Sequence, residues 1–267
     1  MSTDSAHRYS DVSQACPIVF VHGSLSSRRI WTPYSAEFGT RETIAVDLPG
    51  YGDEPAWPES ALYRLTDAAV TIQSAIEARR EQADLVAHSF GAAVALRYAL
   101  DNPARVRSLT LVEPTWFGIL RDLGPKARDA RREIVRIARA FTPSGPDQDR
   151  MFAIARFVNA WAELPQRQET LALKSDQIRR DFEAIFAERL PLAAFRKLTV
   201  PTLVVTGTTS PAAALLVAEG LARAAPRAST VTVAGAGHMF PITHAPDLIQ
   251  ILRSRFEVGA SSSLKAA

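Results

Sequence analysis

Ala87-His88-Ser89-Phe90-Gly91 puts a hydroxyl where it could become a nucleophile. Asp84–Ala87 reads as the end of a short apolar strand and Ala92–Leu100 as a buried helix, so Ser89 stands on the turn between them. That context holds a serine strained and exposed. Residues 87 and 91 are small, as crowding between strand and helix backbones requires. The same short pattern also occurs in phosphate loops and ordinary turns, so the rest of the chain must decide. A hydroxyl is a poor nucleophile near neutral pH and needs a base beside it. His238, in the glycine-flanked run Gly235-Ala236-Gly237-His238-Met239, is the candidate base and later the acid for the leaving group. Glu113, in Leu111-Val112-Glu113-Pro114, ends an otherwise apolar strand, where a carboxylate is costly unless paired. Orienting His238 would supply that partner, and so would an arginine of the segment that follows.

The elements that must position these groups alternate along the chain. Pro17–Val21, Arg41–Asp47, Ala83–Ala87, Val106–Val112, Pro201–Thr206 and Thr230–Val233 read as short buried strands. Helical patterns fall at 31–38, 65–80, 92–100, 212–225 and 244–256. Such alternation predicts an α/β chain: a mostly parallel central sheet with helices on both faces. Each chemically suggestive residue then follows a strand: His22-Gly23-Ser24 the first, Ser89 the third, Glu113 the fourth and His238 the last. That is the sheet edge at which ligands bind.

Between Glu113 and Pro201 the pattern changes. Arg128–Phe141, Asp149–Glu163 and Ser175–Arg189 have helical periodicity, punctuated by Pro143, Gly145, Pro146 and Pro165. The division expected is a polar segment over 1–14, a core over 15–114 and 196–257, a helical cap over 115–195 and a flexible tail over 258–267. The aromatic residues Phe152, Phe157, Trp161, Phe182 and Phe186 fit the insertion's own core, with one or two facing a pocket. Trp116, Phe152, Phe157, Trp161 and Met239 are the pocket candidates.

Composition narrows the classes. The chain has 267 residues, 47% of them hydrophobic, and can bury a sizeable core. Its formal net charge is +3, and no stacked aromatic–basic pattern points to nucleic acid. A single cysteine, Cys16, excludes an intrachain disulfide and a zinc–cysteine cluster and fits a reducing cytoplasm. Residues 1–14 lack the apolar run of a signal peptide, and no apolar stretch is long enough to span a membrane. His22-Gly23-Ser24-Leu25 is not a dinucleotide fingerprint, and no metal-ligand cluster is visible, so neither cofactor nor metal is expected.

Taken together, His22-Gly23, Asp47-Leu48-Pro49-Gly50-Tyr51-Gly52, the Ser89 elbow and the His238 loop resemble a capped α/β-hydrolase from about Cys16 to Phe256. The order serine, acid, histidine is that family's order. The resemblance implies Ser89 as nucleophile, His238 as base and the backbone N–H groups of Ser24 and Phe90 as oxyanion donors. His22, Gly23, His88 and Gly91 would support the loop and elbow. Many members carry an Asp after the strand that here ends at Thr206-Gly207, but this chain reads Thr208-Thr209-Ser210-Pro211. The family's second solution, an acid after the strand following the elbow helix, falls on Glu113. Ser210 is then expected to be dispensable, and Asp47 to fix the Pro49–Gly52 turn. The activity implied is hydrolysis of a small or medium carboxylic ester through an acyl-enzyme. Perhydrolase, lactonase and carbon–carbon hydrolase chemistry, or a non-catalytic small-molecule binder, would use nearly the same residues. A serine rather than an aspartate at the elbow speaks against a dehalogenase or epoxide hydrolase.

Overall fold

The computed structural model describes residues 16–39, 41–79, 82–140, 161 and 168–263. Six strands form one sheet: β1 (Ile18–Val21), β2 (Thr43–Val46), β3 (Ala83–His88), β4 (Val106–Val112), β5 (Thr202–Gly207) and β6 (Ala228–Val233). Their order is β2-β1-β3-β4-β5-β6, and every neighbouring pair is parallel. The longer helices are α1 (Val70–Glu77), α2 (Phe90–Asp101), α3 (Arg128–Ala140), α4 (Gln168–Ala187), α5 (Ala212–Ala224) and α6 (Ala245–Ser263).

The apolar runs of the strands are continuous because both sheet faces are covered. Val19, Val21, Leu85, Ala87, Leu109 and Leu111 join one core cluster with α1, α2 and α5. Their neighbours Ile18, Phe20, Val86 and Val112 join a second, with Trp31, Tyr34, Phe240 and the α6 residues Leu248 and Leu252. The chain leaves β1 for β2 on one side and returns to β3 on the other. The switch point between β1 and β3 opens a crevice at their C-terminal ends.

The expected helix over 65–80 is divided at Ala69 into Leu65–Ala68 and α1. The division lets the first piece pack on α2 while α1 lies over β1 and β2. The last helix continues to Ser263, past the expected start of the tail at 258. Between β4 and β5 the described residues contain no strand. They form short turns of tight helix at Phe117–Arg121, Gly124–Ala127 and Leu192–Lys197, together with α3 and α4. These make a helical cap. Helix α4 begins seven positions before the expected Ser175. The helix expected over Asp149–Glu163, with Phe152 and Phe157, lies outside the described residues except for Trp161, as does the segment 1–14.

Candidate active site

The turn from β3 to α2 places Ser89 at φ 56° and ψ −121°, a backbone conformation that an L-residue holds only under strain of about 1–3 kcal/mol. The surroundings fix it. Ser89 N–H donates to the Val112 carbonyl at 2.9 Å. A Cβ on Gly91 would stand 2.2 Å from the His22 carbonyl oxygen, and one on Gly23 would stand 2.8 Å from Ser89 Cβ. Glycine at these two positions lets the loop after β1 lie directly against the elbow, as the small residues imply.

His238 reaches the elbow from the loop after β6. The Ser89 hydroxyl donates to His238 Nε2 at 2.9 Å, and His238 Nδ1–H donates to Glu113 Oε2 at 3.1 Å. Glu113 is fully buried and itself strained, at φ 53°. Its other oxygen, Oε1, accepts from the Ser210 hydroxyl at 2.5 Å and from Gly207 N–H at 3.0 Å. Its partners are therefore His238, Gly207 and Ser210 rather than an arginine of the cap. Ser210, expected to be dispensable, donates to the carboxylate from the loop where an Asp is commoner. Gly207 N–H also donates to Ser210 Oγ at 2.9 Å, so the three groups lock one another.

The two supporting histidines are neutral. Burial pushes His88 down to about 3, and its Nε2–H donates to the His238 carbonyl at 2.8 Å, fixing the loop that carries the base. Burial lowers His22 to about 4. Its Nδ1–H donates to the Gly23 carbonyl at 2.7 Å, while Nε2 accepts from Leu48 N–H at 3.0 Å. Asp47 accepts from the backbone N–H groups of Arg28 at 2.7 Å and Asp53 at 3.1 Å, securing the turn as expected.

Phe90 is the first residue of α2, where backbone N–H groups lack intrahelical acceptors and the helix dipole favours negative charge. Ser24 lies on the loop that Gly23 seats against the elbow. Its hydroxyl donates to Asp181 Oδ2 of α4 at 2.5 Å. Asp181 is fully buried, and desolvation raises its carboxyl to about 7.

A cavity of about 260 Å³ opens beside Ser89 and His238. Its apolar wall includes Phe117, Trp161, Ile178, Phe182, Ile185 and Met239. Trp161 stands edge-on to the His238 ring, centroids 4.9 Å apart. Trp161 and Met239 line this cavity. Trp116 does not. It is buried edge-on against Phe195, centroids 5.3 Å apart, inside the packing between cap and sheet. Phe152 and Phe157 fall outside the described residues. Phe117, Ser210 and Asp181 escaped the sequence reading as site residues. A signal for Asp181 was present: it interrupts the apolar helical stripe Ile178, Phe182, Ile185.

A strained serine, an imidazole and a buried carboxylate hydrogen-bonded in series at the C-terminal edge of a parallel sheet, under a helical cap, define the serine-hydrolase class of α/β protein. The chain belongs to the alpha/beta hydrolase family, whose sequence profile matches residues 18–250. It is 37% identical over 111 residues to "Probable lysophospholipase BODYGUARD 1" of Arabidopsis thaliana, covering 38% of this chain and 23% of that protein. The chain spans about a quarter of the length of the curated relatives it matches first. Among solved structures, a hydrolase from Pseudomonas aeruginosa PA01 superposes with a TM-score of 0.69 at 19% identity, over 91% of this chain and 90% of that one. The esterase RhEst1 from Rhodococcus sp. ECU1013 superposes at 0.67 and 23% identity, over 91% and 90%. At these identities the likeness is one of fold.

Proposed function

We propose that the chain hydrolyses small or medium carboxylic esters through an acyl-enzyme on Ser89. The observation that carries this reading is the continuous hydrogen-bonded series from Ser89 through His238 to Glu113 beside an apolar cavity. His238 takes the Ser89 proton as the hydroxyl attacks the ester carbonyl, and Glu113 stabilises the imidazolium. The N–H groups of Ser24 and Phe90 receive the oxyanion. The proton on Nε2 passes to the leaving alcohol, and His238 then activates the water that releases the acid. The esterase named among the fold relatives fits this chemistry.

Substrate size follows from the cavity. At ~30 Å³ per water-sized group, 260 Å³ holds about nine such groups, enough for a short or medium acyl chain or one aromatic ring. The described lining carries no Lys or Arg side chain to hold a second carboxylate, which favours an ester with an apolar acyl group over a charged carbon–carbon hydrolase substrate. No described helix is long and apolar enough to cross a membrane. The cysteine usage of the chain supports a reducing, cytoplasmic setting. A p-nitrophenyl ester series tests the reading: kcat/KM should peak at acyl chains of about four to eight carbons. A maximum at fatty chains of about fourteen carbons or more, or turnover no faster than the buffer with every ester, would overturn it.

A further inference from the structure

The cap helix α4 touches the site in two ways along one stretch. Ile178, Phe182 and Ile185 line the cavity. Gln177, Arg180 and Asp181, on the adjoining face, grip loops of the sheet domain. Arg180 donates to the carbonyls of Trp57, Pro58 and Ala61, at 2.5, 2.7 and 3.2 Å. Gln177 packs so closely on Gly50 that a Cβ there would stand 2.1 Å from its Oε1. Asp181 goes deepest. Its Oδ2 accepts from the Ser24 hydroxyl at 2.5 Å and the Tyr51 hydroxyl at 2.6 Å, and its Oδ1 accepts from Gln177 Nε2–H at 3.0 Å.

A fully buried carboxylate is costly to place, and here every observed partner is a donor. Two of the three donors lie outside the cap, on segments that meet at the first strand's loop. Ser24 is the residue whose backbone N–H the esterase reading assigns to the oxyanion hole. Tyr51 stands edge-on to His22, 5.4 Å between centroids, and His22 in turn holds the Gly23 carbonyl. Leu25, the next residue along, is itself held at φ 61°, so this loop does not rest in a relaxed conformation. A loop under such strain keeps its shape only where neighbours over-determine it, and Asp181 is the neighbour that reaches it from the cap.

We propose that Asp181 is a positioning residue that holds the Ser24 loop in oxyanion-binding geometry, so that seating the cap and completing the oxyanion hole are one event. The inference rests on the esterase reading for the role of Ser24 and extends it to the cap. Oxyanion donors act in the transition state more than in the ground state, so the loss should fall on kcat. A side chain that merely held the cap would leave kcat per competent site unchanged.

The test uses the full chain with Asp181→Asn, Ser24→Ala and the double variant. Competent sites are counted by burst titration with a serine-directed phosphonate, and turnover is measured on the best short-chain ester. Per competent site, each single variant should lose at least about tenfold in kcat with KM within about twofold, and the double should lose little more than either one. Hydrogen exchange of the peptide covering residues 22–28, read without substrate, should quicken in Asp181→Asn. If that variant does not fold, Ser24→Ala carries the test alone, because it removes the hydroxyl and keeps the backbone donor. Unchanged kcat per site, or additive losses in the double, would overturn the proposal. If the parent protein hydrolyses no ester, the esterase reading fails, and the exchange of residues 22–28 still decides whether Asp181 holds the loop.

Discussion

On the sheet side of the cleft, Ser89, Glu113 and His238 each stand just beyond the end of a strand, and two of them sit on positive-φ backbone. On the cap side, Gln177, Arg180 and Asp181 lie within a regular helix and reach the site only because that helix docks. The sheet side is built from local strain and close glycine contacts. The cap side is built from side chains of one helix face that reach loops of the sheet domain. The difference separates two jobs: strand ends hold the Ser89–His238–Glu113 series rigidly, whereas a docked helix joins the pocket wall to the Ser24 loop.

The sharpest way to break this division is Ser89→Ala. It should lower turnover by about 10⁴-fold or more and abolish phosphonate labelling, leaving thermal stability unharmed or raised because the smaller site relaxes. Activity retained, with the label elsewhere, would remove the sheet edge from the chemistry. Glu113→Gln comes next, with a loss of at least about tenfold that stays short of complete, since oxyanion donors and binding remain. Kinetics together with a melting curve separate lost charge from lost fold.

Ser210→Ala sharpens the comparison within the sheet side. The Ser210 hydroxyl touches Glu113 and not His238, so its removal should reduce kcat by about three- to tenfold while the substrate-size profile is preserved. An unchanged rate would mean that Gly207 N–H suffices to hold the carboxylate.

The smallest expected effect is the pH dependence of stability contributed by Asp181, read apart from the loss of kcat in Asp181→Asn. Asp181 faces Ser24, Tyr51 and Gln177, with Arg180 beside it and Tyr63 nearby. Its carboxyl is raised from 3.8 to about 7 in the folded chain, so between those values the folded state binds the extra proton. That contribution to stability is fully present below pH 3.8 and is lost as pH rises through about 7. His22 and His88, lowered to about 4 and about 3, have the opposite sign and lose stability as pH falls below 6.5. The difference between parent and Asp181→Asn cancels the histidines. Relative to the variant, the parent Tm should fall by at least about 3 °C between pH 5 and pH 8. A flat difference would mean that Asp181 is charged throughout this range.

The chain by itself determined the parallel sheet and the elbow, and it singled out Ser89, Glu113 and His238 as candidates. Apolar β-branched runs, glycine-flanked turns and a carboxylate ending a buried strand are local signals whose cost or strain shows in a few adjacent residues. Tertiary structure decided the rest. Trp116 and Trp161 are both aromatic residues of the same insertion, yet one packs on Phe195 and the other meets His238. Ser210 looks like an ordinary loop residue until β5 pairs with β4 and brings it to Glu113. Asp181 shows in the sequence as a charge breaking an apolar helical stripe, but only docking removes it from water and gives it Ser24 and Tyr51 as partners. Burial and long-range hydrogen bonding are properties of the assembled layers, because desolvation depends on which surfaces meet and not on which residues are neighbours in the chain.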